Sequence, residues 1–482
     1  MPNSITQVQP PLEFIPPAFN PWVYQATRLL LPGWMRWRAG IVEAEVSHSE
    51  ILVDLYRQFQ LGKTRFMMAF RHPSTNDPVT MNYLLSHHVP RAAQQQGVPL
   101  QFPTYAHFIY DRGIPLWAGK GVGWYYAHMG CTPIRRGKVD RAGLRSARQL
   151  FAEGQFPMAA APEGATNGQN GILSPIEPGI AQFGFWCAED LAKAGRPEQV
   201  CILPIGIQYH YIDAPWEAME KLLTQLEVES GLKVCDDSTL LIDVQERGLL
   251  IQSDKLTDPR SIALYHRILR LSYHLLERME QFYSKFYHQN LKSPAATETQ
   301  IMPDSAFATN QQLATRLQAL LNSALTVAEQ YFAVQPNGSL TDRCRRLEQA
   351  GWDWIYREDL SSLDELPEVE RRLADRVAEE ANLNLWHMRL AETFVSVTGR
   401  YVIEQPSCER FAETLLLLWD VVTRLKGEFP FPRPQLGSQR VKVTIGEPLS
   451  VSDRWSDYQS SRRQAITACT TDLQTALEQM IE

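Results

Sequence analysis

Residues 65–78 read RFMMAFRHPSTNDP, and this stretch decides how the rest of the chain is understood. Arg65 to Phe70 is an apolar run of strand length. Polar residues and a proline end it at Arg71 to Asn76, and Asp77-Pro78 then opens a helix, an acid followed by proline at a first-turn position. Strand, turn and helix in that order are the unit of an α/β protein, which places ligands beyond the carboxyl ends of its strands. The unit recurs. YAHFIY (105–110), FPMAAA (156–161) and VCILPIGI (200–207) read as further strands, and 78–96, 139–154 and 179–194 as helices between them. The fold class predicted is α/β, a mainly parallel sheet with flanking helices.

Working outward, residues 1–60 form an N-terminal segment, proline-punctuated to 20 and then helical. It carries Trp22, Tyr24, Arg28, Trp34, Arg36, Trp37 and Arg38, a mixture of rings and arginines that suits a membrane–water boundary or a helix packed on the domain. After 213 the strand signal fades. Asp258-Pro259 starts a helix in which Leu264, Ile268, Leu271, Leu275, Met279, Phe282 and Phe286 share one face. A soft linker is expected over 293–305, with more helices near 308–333, 367–397 and 408–426. Then Val441, Val443 and Ile445 alternate with Lys442 and Thr444. A lone strand cannot satisfy its own backbone, so it must join the sheet built from 65–210. The expected layout is therefore 61–213 plus 437–452 as the α/β domain, 214–436 as a large helical insertion before the last strand, and 453–482 as a C-terminal helix.

Composition narrows the class. The chain has 482 residues, 44% hydrophobic and 21% charged, which fits globular structure and excludes collagen-like or disordered sequence. No apolar run is long enough for a membrane span, and no secretory signal is visible at the start. Seven cysteines form no Cys-x-x-Cys pair, as expected of reduced thiols in the cytoplasm. The net charge of −7 hides a basic stretch from Arg112 to Arg148, with Asp140 its one acid. Such a patch can hold an anionic head group or an acidic carrier, or can be a solvated face. Overall acidity argues against nucleic acid.

The chemistry sits where the first strand ends. His72 is delivered to the carboxyl edge, and Asp77 follows five positions later. A carboxylate at that reach fixes the imidazole tautomer and stabilises the imidazolium when the far nitrogen takes a proton. The same aspartate before proline also reads as a helix cap, so both roles stay open. Two further segments add to it. Gly130-Cys131-Thr132-Pro133-Ile134 leads into Arg135 and Arg136, and guanidinium pairs recognise phosphate. Pro162-Glu163-Gly164 follows the strand at 156–161, and glycine there lets backbone N–H groups approach an anion.

Together these blocks resemble the glycerolipid acyltransferases, the lysophosphatidate acyltransferase-like superfamily. His72 to Asp77 looks like its His-x-x-x-x-Asp block. Gly130 to Arg136 is similar to the second block, Pro162-Glu163-Gly164 to the third, and Leu203-Pro204-Ile205 to the fourth. The likeness covers about 65–213, with RVKVTIGEPLS (440–450) similar to the closing strand. It implies transfer of an acyl group from an acyl thioester, acyl-CoA or acyl carrier protein, to a glycerolipid hydroxyl such as that of lysophosphatidate. His72 would be the general base and Asp77 its orienting partner. Arg135, Arg136, Glu163 and Gly164 would meet the acceptor, and no cofactor or metal would be needed. The third block departs from the family pattern. Ala165-Thr166 stands where the family has threonine and arginine, and Arg71 beside His72 is the residue that could compensate.

Competing motifs fail. There is no Gly-x-Ser-x-Gly elbow and no His-Glu-x-x-His, while Gly62-Lys63-Thr64 lacks the first glycine of a phosphate loop. Glycerol 3-phosphate or another lysophospholipid as acceptor, and a non-catalytic lipid-binding protein of the same fold, are the alternatives. Amphiphilic substrates without a spanning helix imply peripheral attachment to the cytoplasmic face of a membrane.

Overall fold

The computed structural model describes residues 5–115, 119–135, 139–233, 237–246, 249, 254–291, 306–360, 363, 366–394 and 400–482. The linker expected over 293–305 lies outside them. Two compact units make up the chain, one from Leu12–Asp213 with Gly437–Glu482, the other from Met1–Pro11 with Ala214–Leu436.

The first unit is built on a sheet. Its strands are β1 (Ile41–Ser47), β2 (Thr64–Phe70), β3 (His107–Asp111), β4 (Thr132–Ile134), β5 (Met158–Ala160), β6 (Gln199–Tyr211), β7 (Gln439–Ile445) and β8 (Leu449–Ser450). Their order is β1-β7-β6-β2-β5-β3-β4, with β8 beside β6. Strands β2 to β6 run parallel, β7 and β8 are antiparallel to β6, and β1 is parallel to β7. The mainly parallel α/β sheet expected from sequence is present. So is the helical insertion before the last strands, two of them where the sequence showed one. Strand β1 was not expected, since 21–60 read as helical.

Alternation along β2 shows why the sheet is two-sided. Phe66, Met68 and Phe70 pack on one face against α1 (Pro21–Trp37), α2 (Ser49–Gln60), α3 (Asp77–Tyr83) and α4 (Val89–Gln95), through Tyr24, Leu52, Tyr56, Met81 and Val89. Met67 and Ala69 face the other way, onto the helices Arg141–Glu153, Gly179–Lys193 and Arg462–Glu478. Burial on both sides explains the unbroken apolar run of β6. Each large side chain so buried contributes roughly 1.5–3 kcal/mol. A proline in a central strand would normally cost a ladder bond. Here Pro204 falls where β6 changes partner, between the pairing of Ile202 with Leu449 on β8 and of Ile205 with Ile445 on β7. Its carbonyl accepts from Gly446 N on that same side, and no strand residue there requires the N–H that proline lacks.

The second unit is helical. Helices Trp216–Glu229, Asp237–Glu246, Pro259–Phe286, Ala306–Phe332, Leu340–Ile355, Glu368–Phe394, Arg400–Glu404 and Cys408–Leu425 form it. Asp258 caps the third of these through Ser261 N at 2.9 Å, with Pro259 at the first position. Buried ion pairs, such as Arg343 with Glu329 at 2.7 Å, cross-link helices whose apolar faces form its core. Among the described residues no helix is long and apolar enough to cross a membrane.

Candidate active site at the carboxyl edge of the sheet

Strand β2 continues one residue past its end, since Arg71 N donates to Ile205 O at 2.9 Å. His72 then leaves the ladder, and the turn Pro73 to Asn76 brings Asp77 back beneath it. The His72 Nδ1 lies 2.8 Å from Asp77 Oδ2. That oxygen also accepts from Ser74 N at 2.8 Å, and Asp77 Oδ1 accepts from the Tyr209 hydroxyl at 2.6 Å. Asp77 is fully buried while the His72 side chain is 18% exposed. Of the two roles open for Asp77, its carboxylate takes the one toward His72. The position before α3 is occupied by Asn76, whose side chain caps nothing.

The donor count settles the proton's place. A buried carboxylate is tolerated when its oxygens are saturated by donors. The Ser74 amide can only donate. Burial, and after it the Asp77 charge, push the Tyr209 phenol well above its ordinary range, so it too stays a donor. The network therefore assigns the His72 proton to Nδ1 and the lone pair to Nε2. No described residue hydrogen-bonds Nε2, and the ring is reachable from solvent.

A second carboxylate fixes His72 from its backbone. Glu163, after β5, is buried, and its Oε1 accepts from His72 N at 2.6 Å. Its Oε2 accepts from Ser174 N at 2.9 Å and from Asn167 Nδ2 at 3.2 Å. Burial pushes this carboxyl up from its usual range, against the pull of the His72 and Ser174 backbone N–H groups and the charge of Arg71. Gly164 follows with φ of +74°, a left-handed turn that favours glycine. Arg71 is fully buried, donating to Asn170 O at 2.7 Å and Ile172 O at 2.8 Å. Sequence reasoning set Arg71 and Glu163 against an acceptor. Both side chains turn instead into the 163–174 loop, because the loop's carbonyls and amides need buried partners.

Arg135, just past β4, is buried, and its backbone N donates to Asp140 Oδ2 at 2.9 Å. Asp140 also pairs with Arg112 and caps the helix Arg141–Glu153 through Gly143 N at 3.0 Å. Arg136 lies outside the described residues. The basic stretch is not one continuous patch, because Arg148 is paired with Glu189 and Asp190. Arg135 and the His72–Asp77 pair nonetheless share the carboxyl edge of the parallel strands.

Residues 45–208 match the family model described as Acyltransferase. Over those residues the chain is similar to the Acyltransferase family. No curated protein and no solved structure matches the chain. The match runs from β1 into β6, so the matched segment contains the His72–Asp77 pair, the Glu163 loop and Arg135, and it ends one residue before Tyr209.

Several residues of this candidate site were not foreseen. Tyr209 was missed because the strand reading stopped at Ile207. Asn167, Asn170 and Ser174 were assigned no role from sequence. Asn170 pairs with the Tyr209 backbone on both sides, donating from Nδ2 to its O at 2.8 Å and accepting its N–H on Oδ1 at 3.0 Å. A side-chain amide thus extends the sheet where β2 has ended, and the run of amides near Glu163 was the available signal.

Proposed function

We propose that the protein is an O-acyltransferase that moves a fatty acyl group from an acyl thioester to a hydroxyl of a glycerolipid, lysophosphatidate being the leading acceptor. The observation that carries this reading is the open Nε2 of His72, held in its basic tautomer by Asp77 behind it. In the reaction Nε2 takes the acceptor's hydroxyl proton as the oxygen attacks the thioester carbonyl. Collapse of the tetrahedral intermediate breaks the carbon–sulfur bond, and the imidazolium returns the proton to the departing thiolate. Proton removal of this kind requires no metal or prosthetic group. Acyl-CoA and acyl carrier protein are both candidate donors.

In this reading His72 and Asp77 do the acid–base work. Glu163 and Arg71 are positioning residues, one holding the His72 backbone and the other the loop beside it. Arg135 and Arg136 are proposed to serve the acceptor phosphate, and Gly164 to let backbone approach it. The test offers radiolabelled acyl-CoA and acyl carrier protein to lysophosphatidate, glycerol 3-phosphate and neutral lysophospholipids. Esterified product with at least one acceptor, absent in His72→Ala, is expected. No transfer to any acceptor from either donor contradicts the reading and leaves a lipid-binding protein in its place.

A peripheral position on a membrane, on its cytoplasmic face, is part of the proposal. Helix α1 buries Tyr24, Leu31 and Met35, yet it exposes Trp22 and Trp37 to more than 80% and Leu29 and Leu30 to more than 70%. Arg36 and Arg38 lie exposed near its end. An apolar face flanked by arginines fits the boundary of an anionic bilayer. The cysteines among the described residues are unpaired, which suits a reducing compartment.

A further inference from the structure

The reading above uses a histidine and an aspartate, but the geometry shows a chain of four groups. Thr80 Oγ1 lies 3.0 Å from the Tyr209 hydroxyl, and that hydroxyl lies 2.6 Å from Asp77 Oδ1. The phenol donates its hydrogen to the carboxylate, so the Thr80 hydroxyl donates to the Tyr209 oxygen. Tyr209 comes from β6 and Thr80 and Asp77 from α3, and all three are buried. The remaining oxygen, Oδ2, already serves His72 and Ser74 N. The Tyr209 backbone is itself clamped by the Asn170 side chain, so the phenol cannot drift along the strand.

We propose that Tyr209, backed by Thr80, is a positioning residue of the acyltransferase site: its hydroxyl locks the rotation of the Asp77 carboxylate and sets how strongly the His72–Asp77 pair holds a proton. The inference rests on the acid–base reading of that pair. Two observations support it beyond packing. Among the described residues the phenol supplies the one hydrogen bond to Oδ1, so that without it a buried carboxylate oxygen would lack a described partner, and the contact is short. Tyr209 is buried, with its hydroxyl on the Asp77 carboxylate, so it acts through Asp77.

A donor to the carboxylate stabilises the pair before protonation more than after it. Removing that donor lets the pair take up a proton at higher pH. In Tyr209→Phe, which deletes the hydroxyl alone, kcat should fall about tenfold with KM for acceptor and donor within about twofold. The acid limb of the kcat/KM profile should move to higher pH. Long-range proton–nitrogen NMR of histidine-labelled full chain, with His72 assigned by the His72→Ala variant, gives a readout independent of turnover. It should show the Nδ1–H tautomer in the wild type and a ring titration displaced upward in Tyr209→Phe. If Tyr209→Phe does not fold, Thr80→Val carries the same test with smaller displacements, since it weakens the phenol as a donor.

A kcat and an acid limb unchanged from wild type, or a ring titration that does not move, overturns the proposal. A purely structural role would lower the active fraction without moving either profile. Absence of turnover in the wild type would count against the acyltransferase reading instead, and the NMR comparison would still decide the part played by Tyr209.

Discussion

Asp77→Asn changes one atom at the centre of the site, and its consequences follow from the donors around it. Ser74 N can only donate, so the asparagine oxygen must occupy the position of Oδ2, facing Ser74 and His72 Nδ1. Its NH2 group then faces the Tyr209 hydroxyl, which can turn to accept. The His72 tautomer is thereby preserved and only the charge is lost. With Nδ1 and Oδ2 2.8 Å apart, the centres of the two charges are about 4 Å apart, and at an effective dielectric of about 20 their attraction is about 4 kcal/mol. Asp77 is fully buried, so solvent does little to screen it. The transition state carries between half and all of the imidazolium charge. The loss in rate should therefore fall between about 30-fold and about 1,000-fold. Single-turnover acyl transfer, measured across pH, is the assay. The acid limb should also move to lower pH, because an imidazolium without its counter-charge forms less readily. That is opposite to the displacement expected for Tyr209→Phe. A rate within about threefold of wild type, or an acid limb that stays put or rises, refutes the reasoning.

Glu163→Gln sets an amide NH2 against either His72 N or Ser174 N, both of which are donors. It should cost about 1–3 kcal/mol in urea unfolding and lower kcat more than it raises KM. Arg71→Met removes the donors that hold Asn170 O and Ile172 O. Stability should fall by a similar amount, about 1–3 kcal/mol, and the preference for phosphorylated over neutral acceptors should not change; a selective loss for phosphorylated acceptors would show that Arg71 meets the phosphate. Replacing Trp22, Leu29 and Trp37 together by serine should weaken binding to anionic vesicles by about tenfold or more while leaving the melting temperature within about 2 °C, and co-sedimentation equal to wild type would remove α1 as the contact.

The sequence was most legible where physics is local. β2, β3, β5 and β6 declare themselves as apolar runs, and the lone alternation at 441–445 required a sheet to join, which it finds between β1 and β6. β1 escaped because it is an edge strand carrying Glu43 and Glu45, with a partner supplied only by β7 from the far end of the chain. The placement of His72 at a strand end could be foreseen. The orientation of Asp77 could not, since an acid before proline serves a helix cap equally well and only the fold shows Tyr209 and Ser74 converging on it. Glu163 shows the same limit. An acid beside glycine at a sheet edge looks alike whether it meets a ligand or a neighbouring backbone, and the choice depends on how the 163–174 loop closes.

The central claim is that His72 Nε2 removes the acceptor's proton. Single-turnover formation of labelled ester by wild type and His72→Ala, each confirmed folded by its unfolding transition, tests it most directly. The rate constant should drop by about 10²- to 10⁴-fold in the variant. Ester formed by His72→Ala at the wild-type rate would contradict the account.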